Sequence, residues 1–337
     1  MNEVIWIRRL ALVAAVLCLG VVVLGGYTRL SNSGLGCPDW PGCFGHITPT
    51  GSAEHYATPL DVRKAWVEMI HRYFATTLGL LCVVIAVLAI RARRERGVNA
   101  WLAIALVPLV ILQGLLGMLT VTWLLKPLIV TGHLLGGLTT FALLLWLWLS
   151  MRAAARPVNG CTVQAGNRLV ESGGRARLLA ACAAAALFLQ VFLGGWTSSN
   201  YAAVACPDLP RCQDQWVPDA DFDDAFVLWR GLGINYAGGV LDHPARVAIH
   251  FTHRVGAVVA SILLLMAAFS AWRLGPGPRA AGVLVVAALA LQIAIAVFMV
   301  LHAFPLELAA AHNAGAALLV GATVLLNRKL RPVADFS

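Results

Sequence analysis

Charge is what this chain has least of. Only 12% of its 337 residues are Asp, Glu, Lys or Arg, and 60% are hydrophobic; a soluble globule carries roughly 25% charged residues. With a mean hydropathy of +0.79, a soluble class is excluded and an integral membrane protein is indicated. Acids are scarcer than bases, 16 against 25, yet the excess of +9 is not gathered into the basic and aromatic patch of a nucleic-acid surface. A signal-peptide cleavage site is also missing. Arg8 and Arg9 precede a first apolar run, but no A-x-A-like stretch follows it, so the run reads as a retained helix.

Spanning helices need about 20 mostly apolar residues. Eight stretches qualify, at roughly 7–27, 66–90, 100–124, 128–150, 177–196, 246–272, 280–302 and 307–327. With the N-terminus inside, the inner segments hold 16 of the 25 Lys and Arg and four of the 16 acids, a balance of +12. The outer segments hold nine bases and 12 acids, a balance of −3. The positive charge is thus an orientation signal, placing both termini on the cytoplasmic side of a cell inner membrane.

The chain is duplicated. LGGYTRLSNSGLGCPDWPGC, at 24–43, returns as LGGWTSSNYAAVACPDLPRC at 193–212, with nine of twenty positions identical at an offset of 169. His71-Arg72 matches His253-Arg254 at an offset of 182, and Gln113 and His133 match Gln292 and His312 at 179. The step from 169 to 182 places 13 extra residues in the second outer loop, within 213–242, a polar and aromatic segment without a copy in the first half. Four spans return the chain to its starting side, so the repeat is parallel, about an axis along the membrane normal. The expected fold is all-α, with two pseudo-symmetric four-helix bundles. The N-terminal bundle takes 1–151, a cytoplasmic linker 152–176, and the C-terminal bundle 177–337.

On this topology all nine histidines lie in outer loops or at outer helix ends. His71 and His133 head the second and fourth helices of one half, and His253 and His312 head their counterparts. Two imidazoles facing each other across a bundle form an axial pair for a haem iron. Arg72 or Arg254 would meet a propionate. Interhelical hydrogen bonding is the plainer reading of a lone intramembrane histidine, and of Gln113 and Gln292; the two-by-two duplication favours ligation. Three residues before the aligned histidine the halves differ, with Glu68 in one and His250 in the other. Glu68 reads either as a proton acceptor at a haem edge or as an ion pair with Arg72 at i+4. His250 reads as a group beside the haem ligand or as an interfacial residue. Cys37/Cys43 and Cys206/Cys212 flank the outer loops, where either disulfides or a redox role suit an oxidising compartment. Cys18, Cys82, Cys161 and Cys182 read as small apolar residues.

GGYTRLSNSGLGCPDWPGC, then EMIHR, HFTHR and AAAHNAG, resemble the haem A synthase family over nearly the whole chain. The resemblance implies an oxidoreductase that converts haem O to haem A by oxidising a ring methyl to a formyl group for cytochrome oxidase. It implies haem b on His253 and His312, substrate haem O at His71 and His133, Glu68 as the reactive residue, and outer-loop disulfides. Haem O synthase, assembly factors, an electron donor named by no motif, membrane lipid and a second copy of the chain are the partners it suggests. Two other functions fit parts of the pattern: a dihaem protein passing electrons to quinone, which leaves Glu68 against His250 unexplained, and a thiol oxidoreductase working through the cysteine pairs.

Overall fold

The computed structural model describes residues 2–49, 57–95, 97–154 and 167–331. Residues 155–166 of the expected linker lie outside them, as do His55, Arg96, Arg156 and Cys161. Among the described residues there are eight long helices and one single-turn helix. These are α1 (Asn2–Leu30), α2 (Pro59–Arg91), α3 (Ala100–Thr122), α4 (Pro127–Ala154), α5 (Asn167–Ser199), the short α6 (Phe222–Ala225), α7 (His243–Ala271), α8 (Pro276–Leu301) and α9 (Leu306–Leu330). The eight long ones are each long and apolar enough to cross a membrane, and the chain is a multi-pass membrane protein.

Several helices begin well before their apolar part. α2 starts at Pro59, where Thr58 caps it by accepting the Asp61 N–H and Pro59 presets the first turn. α7 starts after Asp242, again with proline in the first turn. His71 and His253 therefore do not head their helices, as hydropathy predicts. They sit about three turns inside, because polar first turns such as Asp61-Val62-Arg63-Lys64 continue the helix beyond the apolar run.

Helix α1 packs on α2 and α4, with α3 against both of those; α5 packs on α7 and α9, with α8 against both of those. α1–α9, α4–α5 and α4–α9 contacts join the two sets. Small residues dominate the buried seams, among them Ala11, Ala14, Ala15 and Cys18 on α1 and Ala267, Ala268 and Ala271 on α7. This is how helices associate where lipid is as apolar as their side chains. Val16, Leu80 and Phe269 face outward.

The duplication is visible residue by residue. Leu124 and Leu125 take positive φ in the α3–α4 turn, and Ala303 and Phe304 do so in the α8–α9 turn, 179 residues on. Two contacts join positions that the repeat aligns. Arg29 donates from Nη2 to the Ser198 carbonyl at 2.8 Å, and the Tyr201 hydroxyl lies 3.1 Å from Asn32 Oδ1, each 169 residues apart.

The segment 213–242 leaves its own half and straps the other. Lys126, 1% exposed in the α3–α4 turn, donates to the Gly231 carbonyl and sets its ammonium 3.1 Å from the Trp229 ring centre. Trp229 meets Trp123 edge-on at 5.8 Å, and the Tyr236 N–H donates to the Leu124 carbonyl at 3.0 Å. A desolvated cation over an indole contributes about 2 kcal/mol or more. The insert is thereby held to the turn that feeds α4 and His133.

Candidate functional site

Each cysteine loop is closed by a disulfide, Cys37–Cys43 in one and Cys206–Cys212 in the other. The aspartate of each C-P-D motif ties the far side of the loop. Asp39 accepts from the Phe44 and Gly45 N–H groups at 2.6 and 2.7 Å. Asp208 accepts from Gln213 and Asp214 at 2.7 and 2.9 Å. Burial acts to raise both carboxyl pKa values. The two backbone N–H donors in each loop, with Arg72 beside Asp39 and Arg254 beside Asp208, outweigh it and hold both below the ordinary value. A depressed folded pKa means stability that is present above the unfolded pKa, about 3.9, and is lost as pH falls through the folded value. Disulfide reduction by a phosphine is therefore expected to accelerate below about pH 4, and Asp39→Asn should remove that acceleration at the first loop.

The arginines that follow the histidines rivet these loops to the helices. Arg72 donates from Nη1 to the carbonyls of Asp39 and Gly42 at 2.9 and 2.6 Å. Arg254 donates to Asp208 and Arg211 from Nη1 and to Cys206 from Nη2, all at 2.7–2.8 Å. Sequence patterning assigns these guanidiniums to propionates. Besides Glu68 and His250, one turn before them, their partners are loop carbonyls, an acceptor set that no motif announces.

Glu68 is 4% exposed. Its Oε1 accepts from Arg72 Nη2 at 2.5 Å and its Oε2 from the Cys37 N–H at 3.0 Å. The i+4 ion pair expected as one alternative is present, and the carboxylate also reaches the disulfide loop. At the matching position Arg254 donates from Nε to His250 Nε2 at 3.3 Å, and His250 Nδ1 is buried without a partner. One half thus holds a buried carboxyl group one turn before its histidine where the other holds a second imidazole.

The four aligned histidines converge in two pairs. His71 and His133 rings lie 6.4 Å apart, centre to centre, at 85°, and each Nδ1 is buried without a hydrogen-bond partner. Two axial imidazoles on one iron need centres roughly 6–6.5 Å apart, from metal–nitrogen bonds of about 2.0 Å and ~1.2 Å more to each ring centre. The donor set and its spacing fit a haem iron. His253 and His312 are close enough for their charges to interact, and α7 touches α9. The first glycine of each GG pair makes room for the ring. A Cβ at Gly25 would stand 2.7 Å from His71 Cε1, and one at Gly194 would stand 3.2 Å from His253 Cε1. The second glycine of the first pair, Gly26, instead seats Asn313 from the other half. Among the described residues no three His, Cys, Asp or Glu side chains gather into a metal-sized group, so each pair of imidazoles stands by itself.

Glutamine contacts divide the halves further. Gln292 Nε2 lies 3.2 and 3.3 Å from the two ring nitrogens of His312 and donates to its carbonyl at 3.1 Å. Gln113, its counterpart, packs on Gly136 and has no partner for its buried Nε2. Gln190 was not singled out by motif or pairing, yet its Nε2 lies 3.0 Å from His253 Nδ1. The signal available for it is a polar residue in an apolar run where the repeat has Val21.

Residues 8–324 match the family model COX15-CtaA, described as cytochrome oxidase assembly protein. A protein of Shewanella oneidensis named heme A synthase is 40% identical over 336 residues, 96% of each chain. Proteins of the same name from Rhizorhabdus wittichii and Shouchella clausii are 28% and 26% identical, covering 92% and 83% of this chain and 90% and 86% of their own.

Proposed function

Since the chain belongs to the haem A synthase family, we propose that it is an enzyme acting on haem O, oxidising a ring methyl to the formyl group of haem A for cytochrome oxidase. The observation that carries this reading is one histidine pair at axial-ligand spacing beneath a buried carboxylate that the duplicate pair lacks.

The two sets of helices are read as pseudo-symmetric four-helix bundles, 1–151 and 177–337, joined by the cytoplasmic linker 152–176. Support comes from the Arg29–Ser198 and Tyr201–Asn32 contacts, since equivalent residues meet each other where two repeats share an axis. The termini face the cytoplasm of a cell inner membrane, and the disulfide loops face outward. His71 and His133 hold the substrate haem O. His253 and His312 hold a resident haem b, which when bound supplies one-electron transfer. His250 and Arg254 lie over the resident site and Arg72 over the substrate site, where the two arginines fix the loops that roof them. Glu68 accepts a proton from, or balances positive charge at, the ring edge nearest the first loop. Its contacts with Arg72 and the Cys37 N–H hold the carboxyl group in place against the first loop. Four electrons leave the methyl carbon, so the reaction requires an oxidant to take them, with an electron donor as well where dioxygen is that oxidant; haem O synthase and assembly factors are the further partners the family resemblance suggests.

Co-expression with a haem O synthase, followed by pigment extraction, tests the reading. Haem A in the extract is the expected result; its absence, with haem O accumulating, overturns it.

A further inference from the structure

Resting on the reading above, we propose that Gln190 is a positioning residue: its carboxamide fixes the His253 imidazole as a permanent haem ligand, and Val21 at the matching position leaves His71 free to release its haem. The structure shows the two halves differing at two coordinated places around the same ring. Gln190 Nε2 lies 3.0 Å from His253 Nδ1 and donates to the His253 carbonyl at 3.0 Å. The amide is admitted because residue 256, one turn along α7 from His253, is glycine. A Cβ there would stand 2.4 Å from Gln190 Oε1 and 2.8 Å from Leu193 Cδ1. In the first half the same two positions are Val21 and Phe74. His71 Nδ1 makes no hydrogen bond there, and the Val21 backbone lies near the ring outside hydrogen-bond geometry.

The chemistry follows from how imidazoles bind metals. A histidine that ligates through Nε2 carries its proton on Nδ1, and an acceptor at Nδ1 fixes both tautomer and ring orientation. Gln190 Oε1 is buried without a partner in its present orientation. A half-turn of the carboxamide about its last torsion presents that oxygen to Nδ1–H in exchange for the bond that Nε2 now donates to the His253 carbonyl, so iron binding selects the turned amide. Gln292 adds a second carboxamide at His312. Both imidazoles of the second half thus have a side-chain carboxamide against the ring, whereas in the first half the nearest groups are the backbone of Val21 at His71 and of Gln113 at His133, and neither Nδ1 is hydrogen-bonded. A site that keeps its haem gains from such bracing. A site that must take in one haem and discharge another on every turnover does not.

The test uses purified full-length protein carrying its haem, with excess apomyoglobin as haem acceptor and the low-spin electron paramagnetic resonance signal as a record of ring orientation. Gln190→Val and Gly256→Ala remove the amide contact in different ways, the second without touching Gln190. Both are expected to speed transfer of haem b to apomyoglobin by about 10–100-fold and to shift the resonance signal, whereas Gln190→Glu, which keeps an acceptor, stays within a few-fold of the parent protein. Transfer rates and signals unchanged in both Gln190→Val and Gly256→Ala overturn the proposal. His253→Ala separates the two levels of argument. If it removes the haem and the Gln190 and Gly256 variants behave like the parent, only the positioning role fails; if the parent holds no haem that His253→Ala removes, the assignment of the second site fails with it.

Discussion

Glu68→Gln is expected to abolish haem A formation while the haem held in the second half stays in place. The substitution keeps volume and an acceptor, so the Cys37 N–H, now 3.0 Å from Oε2, retains a partner. The negative charge is what disappears. If Glu68 receives a proton or balances developing positive charge, turnover should fall by about 10²–10⁴-fold, with haem O accumulating in the extracted pigment. Because Glu68 has no carboxylate counterpart in the second half, where His250 occupies the position, the haem b absorption should not move. Loss of both product and the second-half spectrum would make Glu68 a structural tie between α2 and the first loop.

His253→Ala and His312→Ala are expected to empty the resident site and to stop product formation with it. His71→Ala and His133→Ala should stop product formation and leave haem b at parental content. The contrast arises because each histidine pair proposed as axial ligands lies within one half, α2 with α4 in the first and α7 with α9 in the second. On the proposed ligation a missing imidazole would deprive iron of one of two protein ligands, and among the described residues no three His, Cys, Asp or Glu gather into a metal-sized group that would supply another. Haem content by pyridine haemochrome, measured on all four variants, checks this. Full retention of haem b in His253→Ala and His312→Ala would refute the ligand assignment. The same set of variants weighs the rival of a thiol oxidoreductase, which requires Cys37→Ala to end activity while the histidine variants change little.

Much of this protein was decided by the order of its residues alone. Apolar runs of spanning length are a local property, and all eight recur as helices, because a backbone in lipid must satisfy its own hydrogen bonds. The offsets of 169, 182 and 179 align the cysteine loops and the histidines, and the Glu68/His250 difference is legible from the same alignment. Helix starts were not. Hydropathy marks where a helix becomes apolar, while Thr58, Pro59 and Asp242 set where it begins.

Only the tertiary structure decided what the polar side chains hold. Arg72 and Arg254 turn to the carbonyls of their own disulfide loops, because a disulfide-closed loop of six-residue span folds those oxygens back onto the helix surface. Lys126 meets Gly231 across 105 residues, which makes the extra segment at 213–242 a strap between the halves. Gln190 meets His253 across 63 residues, through a gap that only Gly256 leaves open. Contacts of this kind carry no period and no motif. They depend on which helix faces lie together once eight spans have packed, and that is a property of the assembled chain.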